Sequence, residues 1–163
     1  MSDPQIDNPV VVQLPEGLPA TGGAVPDEAQ LVAWAQAALA GLAAPPPAGE
    51  LVVRVTDREE IAQLNEAFRG KSGPTNVLSF PAELPEGPWA PVLGDVIICK
   101  EVVAEEAATQ GKAEADHWAH MVVHGVLHLL GYDHQEPAEA EAMEDLERRT
   151  LAGLGLPDPY REE

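Results

Sequence analysis

The 163 residues are 45% hydrophobic and 23% charged, the composition of an ordinary globular domain with a core of its own. Nine basic residues against 28 acidic ones leave a net charge of −19, which argues against a general nucleic-acid binder with a basic surface. No apolar run approaches the ~20 residues of a membrane span, the start MSDPQIDNP lacks the pattern of a secretory leader, and Cys99 is alone, so a cytoplasmic location with no membrane partner is expected.

PVVVQL at 9–14 reads as a short strand. Asp27 with Gln30 matches a capping box that opens an alanine-rich helix to about Leu42, where APPPAG stops it. ELVVRVT at 50–56 is a second strand. Thr56 with Glu59 matches another capping box, and Ile61, Leu64 and Phe68 follow at helical spacing. TNVLSFP at 75–81 is a third strand, ELPEGPWAPVL a loop, and GDVIICK at 94–100 a fourth strand, apolar enough to be central. Two helices meet near Gly111: EVVAEEAATQ, and a longer one over about 113–130. Gly131 breaks the longer helix, and after Pro137 an acidic amphipathic helix runs to Gly153 or Gly155. The order β-α-β-α-β-β-α-α-α predicts an α+β fold: one domain over 1–163, about four strands in one sheet and about five helices, with the histidine-bearing helix buried against the sheet. Residues 1–8 and 161–163 read as poorly ordered ends.

All five histidines fall within 117–134. On a helix, His117, His120, His124 and His128 share a stripe roughly 80° wide. His124 and His128, at i and i+4, can reach one cation. Gly131 can take the left-handed conformation that reverses the chain and returns His134 toward the stripe. The pattern H-x3-H-x5-H offers three imidazoles and an open fourth position, as a catalytic zinc site does and a closed structural one does not. His117 and His120 read as groups that hydrogen-bond within the core, support the ligands or face substrate.

HGVLHLLGYDH overlays the metzincin protease pattern H-E-x-x-H-x-x-G-x-x-H at its three histidines and its glycine. Gly125 stands where those proteases carry their general-base glutamate. That counts against a peptidase and favours a substrate such as a phosphodiester. RGKSG supplies positive charge for one. Arg69 suits a bidentate phosphate clamp that also stabilises transition-state charge, and Lys71 suits substrate binding. Both also sit where a helix C-terminus favours cations on its own account.

FRGKSGPTNVLSFP, LGDVIIC and HGVLHLLGYDH together closely resemble the bacterial YbeY family of zinc-dependent endoribonucleases and rRNA maturation factors, over roughly Leu51 to Tyr160. The resemblance implies a small α+β domain and one zinc per chain, held by His124, His128 and His134. It implies a functionally important arginine at Arg69. The implied activity is endonucleolytic cleavage of single-stranded RNA, in maturation of the 16S rRNA 3′ end and in ribosome quality control. Implied partners are an rRNA precursor and the small ribosomal subunit or one of its proteins, with no DNA expected. A charge of −19 is unusual for such an enzyme and predicts RNA contact confined to a cleft near Arg69 and Lys71. The nucleophile, water or the 2′-OH, stays open. A non-catalytic zinc-bearing assembly factor and a zinc peptidase or amidase are the alternative readings.

Overall fold

The computed structural model describes residues 8–14, 25–42, 46, 49–81, 92–132 and 136–160. Its strands are β1 (Val10–Gln13), β2 (Glu50–Thr56), β3 (Val77–Pro81) and β4 (Val92–Cys99). Its helices are α1 (Glu28–Ala40), α2 (Arg58–Arg69), α3 (Lys100–Gln110), α4 (Glu114–Leu129) and α5 (Pro137–Gly153). The strands form one mixed sheet in the order β1-β2-β4-β3. β1, β2 and β4 run parallel, and β3 pairs antiparallel with β4. This is the α+β architecture that the element order predicts. No described helix is long and apolar enough to cross a membrane.

The interior position of β4 follows from its composition, because a strand covered on both faces needs apolar residues at successive positions. Val96 and Ile98 enter the main core with Leu51, Val53 and Val55 of β2 and with residues of α1, α4 and α5. Ile97 and Cys99 join a smaller cluster with Leu78 and with Ile61 of α2. α1 buries Leu31, Trp34, Ala35, Ala38 and Leu39, the i, i+3, i+4, i+7, i+8 set of one helical face. Asp27 caps it as the sequence predicts. Its carboxylate accepts the Gln30 N–H at 2.8 Å, and the Gln30 side chain accepts the Asp27 N–H at 3.1 Å.

Two boundaries differ from the sequence reading. Thr56 does not cap α2: it is the last residue of β2, buried and paired with Cys99. Asp57 is the cap, and its carboxylate accepts the Glu60 N–H at 2.9 Å. β4 starts at Val92 rather than Gly94, because its parallel pairing with β2 reaches Glu50. Of the expected loop, residues 82–91 lie outside the described residues, as do 1–7 and 161–163. Asn8 donates from Nδ2 to the Gly49 carbonyl at 3.2 Å.

Gly94 is fixed by a close approach. Its φ is +144°, and a Cβ there would lie 2.3 Å from the Phe80 carbonyl oxygen and 2.8 Å from Leu129 Cδ1. The first contact is backbone of the paired strand, so it cannot yield without breaking the β3–β4 ladder. Gly94→Ala is expected to destabilise the protein by about 3 kcal/mol or more. In thermal unfolding that is a fall in Tm of about 6–12 °C.

Candidate metal centre and its cleft

α4 runs from the core to the surface. His117 and His120 are buried, the His124 side chain is 22% exposed, and His128 is exposed. Buried imidazoles need polar partners, and each of the four has one. His117 Nε2 contacts Glu106 Oε1 of α3 at 2.9 Å. Burial holds the His117 imidazole below its usual pKa, against the pull of Glu106. His120 Nε2 contacts Glu147 Oε2 of α5 at 2.5 Å. His124 Nδ1 lies 3.5 Å from the same oxygen. His128 Nδ1 contacts the Tyr132 carbonyl at 2.9 Å.

A carbonyl only accepts, so His128 donates from Nδ1, and in the neutral ring that tautomer makes Nε2 the lone-pair nitrogen a metal can use. His124 is oriented in the same sense, with Nδ1 against a carboxylate. The two rings lie nearly parallel, 12° apart with centroids 6.3 Å apart. His128 therefore has one nitrogen hydrogen-bonded back to the protein, as an outer-shell partner orients a histidine metal ligand, and His124 has Nδ1 at ion-pair distance from a buried carboxylate. Gly131 closes the helix as expected, with φ +104° and with the Tyr132 N–H donating to the Leu127 carbonyl at 3.1 Å. His134, Asp133 and Gln135 lie outside the described residues.

Glu147 is fully buried and saturated. Tyr160 donates its hydroxyl to Oε1 at 2.9 Å, while Oε2 meets His120 and His124. Burial works to raise the Glu147 carboxyl, but hydrogen bonds and charge from His120 and His124 outweigh it and hold the pKa at about 2. Burial, then the Glu147 charge, pushes the Tyr160 hydroxyl up, so it stays protonated as a donor. The Arg148 guanidinium lies 5.2 Å over the Tyr160 ring and closes the network from outside.

The sequence reading left out Glu147, Glu106 and Tyr160. For Glu147 a signal existed. On α5 it shares the buried stripe of Met143, Leu146, Thr150 and Leu151, and a carboxylate on an apolar stripe needs a partner. His120, His124 and Glu147 also form a group whose ligand atoms lie within 4.8 Å of one another and could hold a metal. Its geometry suits support better, because Glu147 already takes the His120 and Tyr160 donors. Glu147→Gln, which keeps the shape and loses the charge, is expected to weaken affinity for a divalent metal, with zinc as the probe, about 10–100-fold without abolishing binding. Titration against a fluorescent zinc chelator measures that shift.

Gly125 is a packing requirement. Its carbonyl accepts the Ser79 hydroxyl at 2.8 Å, and a Cβ would lie 2.5 Å from Val96 Cγ1. The place of a metzincin glutamate is filled by the sheet.

Beside His128 opens a cavity of about 470 Å³, lined by Phe68, Arg69, Ser79, Phe80 and His128 among others. Arg69, the last residue of α2, therefore shares a cleft with a candidate ligand. Lys71 is exposed nearby in sequence but does not line the cavity. Arg54, Arg58, Arg148 and Arg149 pair with carboxylates, Lys112 bonds the Pro159 carbonyl, and Lys100 is buried. Arg69 and Lys71 form no ion pair among the described residues.

An α+β domain built around a candidate metal centre is the class that this geometry defines. The family model described as Endoribonuclease YbeY matches residues 24–155. A protein of Halorhodospira halophila named Endoribonuclease YbeY is 55% identical over 144 residues, covering 86% of this chain and 92% of that protein. One of the same name from Alkalilimnicola ehrlichii is 60% identical over 139 residues, covering 84% of this chain and 83% of its own. A solution structure from Thermotoga maritima shares the fold, with a TM-score of 0.53 at 22% identity over 94% of this chain and 99% of that one. The chain belongs to the YbeY endoribonuclease family.

Proposed function

We propose that the protein is a zinc-dependent endoribonuclease that cleaves phosphodiester bonds of single-stranded RNA. Its place is the cytoplasm, in maturation of the 16S rRNA 3′ end and in ribosome quality control, acting with the small ribosomal subunit or one of its proteins. The observation that carries this reading is the near-parallel alignment of His124 and His128 one helical turn apart, with His128 lining a cleft that Arg69 also lines. His134 completes the ligand set. When bound, zinc supplies a Lewis acid that polarises a phosphoryl oxygen and lowers the pKa of a water.

The chain's own residues do the rest. Glu147 and the Tyr132 carbonyl fix the ring orientation of His124 and His128. Arg69 forks over two phosphate oxygens and holds them through the charge build-up at phosphorus. Lys71 contributes positive charge to the approach of the strand. Gly125, packed against Val96, argues against the peptidase alternative.

The test is cleavage of an end-labelled single-stranded RNA. Wild-type protein should cut it, and a chelated sample and His124→Ala should not. Arg69→Ala should be slower by about 10²–10³. Cleavage that survives in all three samples overturns the reading. A 2′,3′-cyclic phosphate end identifies the 2′-OH as nucleophile, and a 5′-phosphate identifies water.

A further inference from the structure

Phe68 continues the helical stripe of Ile61 and Leu64. Ile61 is fully buried, yet Phe68 is 68% exposed, the most exposed of the large hydrophobic side chains among the described residues. Nothing in the core accounts for it. Its ring is held by Phe80 of β3, edge to face, with centroids 5.2 Å apart and planes at 67°. One ring braces the other and leaves aromatic surface in the cleft that Arg69 and His128 line.

We infer that Phe68 is a stacking platform for an unpaired nucleobase of the RNA, next to the phosphate that Arg69 holds. The inference rests on the nuclease reading and adds a base subsite to it. Three observations converge: an exposed, braced aromatic ring, a guanidinium on the adjacent residue without an ion pair among the described residues, and a histidine of the candidate centre, all on one cavity. Stacking on an aromatic face is how proteins hold single strands without reading sequence, since every base has a π-face. A base within a duplex keeps both faces covered by its neighbours and cannot use the platform. Phe68 thus contributes to the choice of unpaired over paired RNA. Its charge-free surface suits a chain of net charge −19 that has few cations to offer.

The experiment uses the zinc-loaded full chain and a labelled single-stranded RNA of about ten nucleotides, within the site sizes typical of such proteins. Steady-state cleavage and, on a cleavage-resistant 2′-O-methyl phosphorothioate version, anisotropy are measured for wild type, Phe68→Ala, Phe68→Leu and Phe68→Trp. Phe68 is exposed, so all should fold. Alanine and leucine are expected to raise KM and Kd about tenfold with kcat little changed, and tryptophan to restore both. Removing the base at one position beside the cut should weaken wild type about tenfold and Phe68→Ala not at all. Unchanged KM and Kd in Phe68→Ala, or rescue by leucine as complete as by tryptophan, overturns the inference while the nuclease reading stands. Wild-type binding without cleavage sinks the nuclease reading, and the Kd series then decides on Phe68. Absence of both binding and cleavage overturns both.

Discussion

Replacing His128 by alanine should remove zinc and reduce RNA cleavage to the level of chelated wild type. The apo protein should lose no more than about 0.5 kcal/mol, because His128 is exposed and its one hydrogen bond among the described residues is to a turn carbonyl. This separation of activity from stability makes it a sharper test than changes at buried histidines. Metal content after dialysis, cleavage rate and the apo Tm are the three readings. They also decide between ligand sets. If His120, His124 and Glu147 held the metal instead, His128→Ala would keep its zinc and Glu147→Gln would lose it. Loss of zinc in His128→Ala and in His134→Ala, with only weakened binding in Glu147→Gln, matches the set of three histidines.

Gly125→Glu is expected to destabilise the protein strongly rather than make it a protease. A Cβ alone would meet Val96 Cγ1 at 2.5 Å and Val77 Cγ2 at 3.0 Å, so the carboxylate would be driven into the contact between α4 and the sheet. Overpacking costs about 1–3 kcal/mol, and a buried unpaired charge adds to it. A total above about 4 kcal/mol corresponds to a Tm lower by more than about 8 °C in a chain of this size. A variant that melts near wild type, or that gains casein cleavage, contradicts the account.

The sequence made the histidine stripe legible because its signal is local. Residues 117–128 carry their spacing within one helix, and Gly131 marks the bend that follows. The partners were not legible in the same way. Glu106 and Tyr160 come from α3 and from beyond α5, and only tertiary packing brings them to the stripe. Glu147 lies in a run of acidic residues where composition hides the one that is buried. The fold followed the same division. Asp27 could be read as a cap because the competition there is local, whereas Thr56 matched a cap pattern and was claimed by pairing with β4. Phe68 is the reverse case. It keeps the helical spacing of Ile61 and Leu64, yet it lies exposed one residue before the helix ends.

The way this chain places its cations sets its response to salt. Proteins that grip RNA through many lysines and arginines lose affinity steeply as salt rises, because each phosphate contact releases counterions. With Arg69 and Lys71 as the two proposed phosphate contacts, the expected slope of log K against log salt is shallow, near −1.4. The remaining surface repels the strand, and ions screen that repulsion beyond about 8 Å at physiological strength. The two trends oppose each other, so RNA binding should stay nearly level across the salt range that strips an ordinary basic nuclease from its substrate.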